Sequence, residues 1–523
     1  MKTNLVLFFI SLLVISCTHT SNEIPENVIE ILEKAGTNRI ELDRVLENYA
    51  SAENEEKLKA AYFLIGNMKD KSFTKFEVSD SDDNIIGFSA LDYRDYGSMT
   101  RAWDSIVKFR GKLHQQRVEL KYDYEIISAD YLINTIDQAY NVWKNNSWTN
   151  FLDFNEFSEY ILPYRSTNEP LEDWREYFLN KYSWLNDSIV NKNDPVEVCN
   201  WINNDIKSWF RFDPRFYEHA TDLGLTEMVE GKMGRCEDMT NLAIYAMRAN
   251  GVPVMSDFTP YWAKSGNNHA WNAVLGADGK IVIFMGGEAN PGKYKLNQAK
   301  AKVYRKTFSL QPESLAEIKE DWEEAPPYIN RNGIVDVTRE YVPVSDVELQ
   351  LTKKIPDSTR FAYICVFNTG EWKAIHWSFI EDEGMVKYSD MGTDIAYLPA
   401  LFINGEIIPA GNQFILSKDG EVEENRPEAN SPIDLKIAST TKRVTKETTD
   451  FSEKVYLKEG ETYELFYWES KWISVGKQKA KGKPLLFNNV PSGALYWLVN
   501  TIPTKDRPER IFTVNNEGAI TWW

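Results

Sequence analysis

A chain of 523 residues is long enough for three or four domains, each with a core of its own. Its 59 Lys and Arg are outnumbered by 78 Asp and Glu, and a formal charge of −19 argues against nucleic acid, whose binding needs clustered Lys and Arg. Four cysteines in this length make no disulfide framework, and H-E-x-x-H, paired C-x-x-C, Walker and G-x-G-x-x-G patterns do not occur, so neither a metal nor another cofactor is expected.

The first element is an apolar run from Leu5 to Ile15, preceded by Lys2 and too short to cross a bilayer. It ends in Val14-Ile15-Ser16-Cys17, which resembles a bacterial lipoprotein signal. Residues 1–17 are therefore expected to be a signal peptide, with Cys17 the lipidated residue that holds the protein to the membrane of the bacterial cell envelope, on its periplasmic side or at the surface.

Residues 18–187 read as helical. Val28, Ile31, Leu32 and Ala35 fall on one stripe, Leu42, Val45, Leu46 and Tyr49 on another, and Lys57 to Met68 continues in the same style. Phe151 to Trp184 reads as a helix, a stop at Pro163 and a second helix.

A different domain is expected over 188–326. Val198, Ile202, Ile206 and Trp209 form one apolar face, on which Cys199 is a packed thiol. Gly234-Arg235-Cys236-Glu237-Asp238 then opens a helix whose face is Leu242, Tyr245, Ala246 and Ala249 and whose stop is Gly251 and Pro253. A cysteine at a helix N-terminus meets unpaired N–H groups and the positive end of the dipole, which favour the thiolate. Strands follow over Val252 to Thr259, Ala270 to Leu275 and Lys280 to Met285, the last two joined at Asp278-Gly279. His269 stands at the start of that hairpin, a base for the thiol. A two-residue turn centred between Asp278 and Gly279 places Glu288 opposite His269; a bulge at Gly286-Gly287 breaks this register and leaves Asn290 as the substitute.

Together, Gly234-Arg235-Cys236, Arg248-Ala249-Asn250-Gly251-Val252-Pro253 and His269-Ala270-Trp271-Asn272 resemble the core of the transglutaminase-like superfamily, from near Pro195 to near Lys306. The resemblance implies a papain-like α+β core in which Cys236 is the nucleophile, His269 its base and an acidic residue on the next strand the group that orients the base. In the family that residue is usually an aspartate in a Val-Asp-Pro phrase; the matching place here falls near Met285 or Gly286, so Glu288 is the candidate. Trp209 has two readings, a core residue or an indole N–H for an oxyanion, as in some relatives. The helical lead-in resembles that of bacterial lipoproteins of this superfamily. Peptide N-glycanases share the core, but the zinc-binding C-x-x-C pairs of their eukaryotic forms do not occur here.

From about Arg339 the periodicity changes to two, with the boundary near Pro326-Pro327, and Cys365 lies within the strand-like run Phe361 to Phe367. Phe367 to Trp372 and Tyr467 to Trp472 begin two similar stretches, read as β-sandwich modules at 327–432 and 433–523 with a linker from Lys418 to Ser431 and weaker order extending to Asp450. Their Trp372, Trp377, Trp468 and Trp472 serve a glycan or the core.

The chain thus reads as a multidomain α+β protein: an N-terminal helical domain, a papain-like transglutaminase core and C-terminal β-sandwich modules. The expected function is a cell-envelope thiol hydrolase that cleaves an amide bond in a peptide, protein or glycopeptide through a Cys236 thioester, with catalytic residues Cys236, His269 and Glu288. The alternatives are a non-catalytic glycan- or peptide-binding scaffold with a degenerate core, a peptide N-glycanase-like enzyme, or one that passes the acyl group to an amine.

Overall fold

The computed structural model describes residues 23–219, 221–442, 454–502 and 508–523. Cys17 and the signal peptide lie outside the described residues, as does the end of the expected weak-order stretch, 443–450. No helix among the described residues is long and apolar enough to cross a membrane.

Helices Glu26–Lys34, Arg39–Asn48, Glu55–Gly66 and Ala129–Asn145 bury the predicted stripes in one N-terminal core. Ser128 caps the last of them by accepting the Tyr131 N–H at 3.2 Å. The region is not all helical: Ser72–Ser79 and His114–Tyr122 form an antiparallel pair. Met255, Ala273, Leu275 and Phe308 join the same apolar cluster, so the helical region packs directly on the sheet that follows.

That sheet has five antiparallel strands in the order Ile281–Phe284, His269–Leu275, Val254–Thr259, Tyr304–Lys306, Ile334–Asp336. Its last strand lies beyond the expected boundary at 326. Helix Cys236–Ala249 packs on the two strands at its centre, and Asp238 through Ala249 are all buried. A helix buried all round must have partners for its polar groups, and Asp238 illustrates this by accepting the Arg235 N–H at 2.8 Å as the cap of the helix. At Gly286 a Cβ would overlap the Met239 carbonyl and Ala243, so the loop after the edge strand presses onto this helix with no room for a side chain.

The C-terminal half is antiparallel β structure. Strands Glu371–Phe379, Phe361–Asn368, Ile395–Ile403, Phe414–Leu416 and Val422–Glu424 form one sheet, with Glu406–Pro409 paired to Ile395–Ile403, and Val344–Gln350 pairs with Met385–Gly392 beside it. Trp472–Lys479, Thr462–Trp468, Tyr496–Asn500, Ile511–Val514 and Ile520–Trp522 form another, beside the pair Glu428–Ile437 and Leu485–Ser492. The expected linker from Lys418 to Ser431 contains Val422–Glu424 and the start of Glu428–Ile437, so the modules meet without a free tether. Phe367 meets Trp472 and Trp497 of the second module edge-on at 5.6 and 5.1 Å, which fastens one module to the other.

Both modules also hold the loop that leads to His269. The Asn368 amide donates to the carbonyls of Trp262, Ser265 and Asn267, each at 2.9 Å. From the second module, buried Arg510 donates to the Ala263 carbonyl at 2.8 Å.

Candidate active site

Cys236 is the first residue of its helix and is half-buried. It lines a cleft of ≈ 440 Å³ together with Tyr217, Glu237, Phe258, His269 and Lys306. The Ala270 N–H, from the residue next to His269, and the Tyr217 hydroxyl lie close enough to the sulfur to act on it electrostatically. The other two described cysteines, Cys199 and Cys365, are buried core thiols.

His269 begins its strand opposite Thr259. Its ring stacks on Trp262 at 5.9 Å and is tilted against Trp271 at 6.0 Å. Trp271 is held in turn, because its indole N–H donates to the Tyr341 hydroxyl at 3.1 Å, Tyr341 donates to Asp257 at 2.5 Å, and Arg305 grips Asp257 at 2.9 and 2.8 Å. His269 Nε2 is 2.5 Å from the Tyr294 hydroxyl. That contact uses one ring nitrogen and leaves Nδ1 outside it, on a ring that lines the same cleft as the thiol. With its proton on Nε2, donated to the Tyr294 oxygen, the neutral ring is a base through Nδ1.

The predicted partner of His269 is elsewhere. Leu275 pairs with Ile281 and Asn272 with Phe284, and Gly276 N–H bonds the Lys280 carbonyl at 2.8 Å, so the turn is centred on Asp278. Relative to a turn centred between Asp278 and Gly279, this moves the position opposite His269 to Gly287, and the strand has already ended at Phe284. Glu288 is exposed in the tight turn Met285–Ala289, and the structure gives it no hydrogen bond to His269. Asn290 is no substitute: it bonds Asn203, Asn204 and Lys207 on the helix Pro195–Trp209 at 2.8–3.1 Å. Met285 is buried and Gly286 is pressed against helix backbone, so the family's usual acid position carries no carboxylate here. The Trp209 indole N–H donates to Asp205 at 3.0 Å, which is the packed reading.

Tyr294 was not legible in the sequence. It follows the turn Asn290–Lys293, beyond the hairpin whose register could be projected. The Gly292 N–H to Ile283 carbonyl bond, 3.0 Å, returns the chain to the sheet edge and brings the tyrosine to the imidazole.

The electrostatics also differ from the helix-dipole expectation. Burial pushes the Cys236 thiol above its ordinary pKa, and the Glu237 carboxylate adds to this, while the Ala270 N–H and Arg235 oppose it. Burial holds His269 below its ordinary value, against the attraction of Glu237. Two acidic residues in the first turn, Glu237 and Asp238, oppose the positive helix end. Both shifts favour the uncharged pair, thiol and imidazole, over thiolate and imidazolium.

Residues 182–284 match the family model of the transglutaminase-like superfamily, so this part of the chain is a transglutaminase-like domain. No curated protein matches the chain. Among solved structures, a proposed cysteine protease from Cytophaga hutchinsonii is 17% identical over 31% of this chain and 58% of its own, with a TM-score of 0.18. This chain thus spans less than two thirds of that protein. The transglutaminase of red sea bream is 11% identical over 86% of this chain and 76% of its own, with a TM-score of 0.21.

Proposed function

We infer that the chain is a cysteine-dependent amide hydrolase of the cell envelope, anchored through lipidated Cys17. The observation that carries the chemistry is a thiol at a helix start and an imidazole at a strand start lining one cleft, with the imidazole oriented through its far nitrogen by Tyr294. His269 Nδ1 takes the thiol proton as sulfur attacks the amide carbonyl, and the Cys236 backbone N–H, without an intrahelical acceptor, and Tyr217 stabilise the oxyanion. The C–N bond breaks, the imidazolium returns the proton to the leaving amine, and a thioester remains. Water, deprotonated by His269, then attacks the thioester to release the acid and restore the thiol. Tyr294 is neutral, so it orients the ring without offsetting the imidazolium charge, a weaker aid than a carboxylate.

A glycopeptide substrate is favoured by one further observation. A cavity of ≈ 730 Å³ between the two β modules is lined by Trp372, Trp468, Trp472 and Tyr261, and its wall Tyr328 also borders the Cys236 cleft. Trp372 and Trp468 are largely core, so half-buried Trp472 and Tyr261 would supply the stacking faces for a sugar.

Mass spectrometry of a glycosylated and a plain peptide pool, incubated with wild type and with Cys236→Ala, separates peptide cleavage, deamidation, deglycosylation and crosslinking. A product absent with Cys236→Ala supports the reading; identical product profiles refute it in favour of a binding scaffold. For the anchor, Cys17→Ala should abolish fatty-acid labelling and release the protein from membranes.

A further inference from the structure

A second cavity, ≈ 280 Å³, adjoins the cleft, and Thr167, Asn168, Lys306 and Arg331 line both. The two run along one side of the nucleophile helix, where Glu237 lines the cleft and Ile244 and Arg248 line the side cavity. Arg248 lies twelve residues after Cys236, about 18 Å along the helix at 1.5 Å per residue.

The lining carries five basic side chains and one acidic one. Lys71 pairs with Asp70 at 2.6 Å, Arg165 with Asp123 at 2.5 Å, and Lys306 with Glu237. Arg248 and Arg331 are left over: their hydrogen bonds go to the carbonyls of Arg165 and Tyr328, at 3.0 and 3.3 Å, and among the described residues neither has a carboxylate at ion-pair distance. Arg248 is only 7% exposed and Ser256 3%, both residues line this cavity, and the Arg248 Nε and Ser256 Oγ atoms are buried with no hydrogen-bond partner. Burial outweighs the attraction that Glu159 and Glu169 exert on the Arg248 guanidinium from beyond ion-pair distance, so the charge is costly where it stands, and an anion in the adjoining cavity would relieve the cost.

We propose that the side cavity binds a carboxylate carried by the substrate, at the far end of the groove from the bond that Cys236 attacks. The proposal rests on the hydrolase reading for the word substrate, but its test does not need turnover. The probes are iodoacetyl amides of ω-amino acids with tethers extending up to about 18 Å, each beside its neutral carboxamide twin. The readout is the alkylation rate of Cys236.

At the longer tethers the acid should react about tenfold faster than its twin, the effect of one charge-assisted hydrogen bond. At the shortest tethers the ratio should fall to the value set by general attraction in the cleft. Ser256→Ala and Arg248→Gln should lower the long-tether ratio and leave the rate with iodoacetamide unchanged; if Arg248→Gln does not fold, Ser256→Ala decides. A ratio that is the same at every length overturns the proposal, as does a length-dependent ratio that Ser256→Ala leaves intact. Failure to hydrolyse any amide, with the length dependence present, overturns only the hydrolase reading.

Discussion

Tyr294→Phe is the most informative substitution at the proposed catalytic site. It keeps the ring that lies 6.2 Å from the imidazole and removes only the hydroxyl at 2.5 Å from His269 Nε2. The Nε2–H then has no acceptor in a partly desolvated site just as the ring becomes an imidazolium. A lost hydrogen bond to a charged group is worth about 1.5–3 kcal/mol, so kcat/KM should fall by about tenfold to a hundredfold at 1.4 kcal/mol per factor of ten. Removing the base itself, in His269→Ala, should cost at least about 10²–10⁴. The assay is kcat/KM on a peptide identified by mass spectrometry, with thermal unfolding to show that the fold persists. Glu288→Gln and Asn290→Ala belong in the same series and should both be near wild type. An unchanged kcat/KM in Tyr294→Phe, or a larger loss in Glu288→Gln, would refute the assignment and restore the carboxylate.

Three further outcomes follow from the same geometry. Because burial raises the Cys236 thiol, its alkylation by iodoacetamide should climb with pH through the alkaline range, and a plateau already present at mildly acidic pH would mean a preformed thiolate. The Asp238 carboxyl is pushed up to about 7, chiefly by burial, so folding binds a proton between its unfolded and folded values. The stability it contributes is present below the ordinary carboxylate range and is lost as pH rises toward about 7; unfolding midpoints should fall more between pH 5 and pH 8 for wild type than for Asp238→Asn, and parallel curves would contradict this. Gly286→Ala should destabilise by about 1–3 kcal/mol, since its Cβ meets the nucleophile helix, and an unchanged denaturation midpoint would show that the loop can move aside.

Local pattern alone makes the two candidate reacting groups legible. A helix start is written in a few consecutive residues, so Cys236 could be placed at one, and the strand beginning at His269 follows from the apolar run after it. The β-rich C-terminal half was equally visible, because period two needs only neighbours along the chain. Ser72–Ser79 was not, because Phe73 falls on the opposite parity to Phe76 and Val78, with a bulge between Lys75 and Phe76, and its pairing with His114–Tyr122, across an intervening helix, could not be inferred from spacing.

The partner of the His269 ring was decided by tertiary structure. Moving the turn centre by half a residue, to Asp278, shifts every partner on the opposite strand, and the strand's end at Phe284 leaves Glu288 in solvent. Tyr294 reaches His269 only because the chain doubles back after Asn290, a long-range return with no periodic signature. The protonation state of the site is likewise a property of packing: the helix dipole can be read from sequence, but burial of Cys236 and His269 and the charge of Glu237 outweigh it, because desolvation acts on whatever the fold encloses.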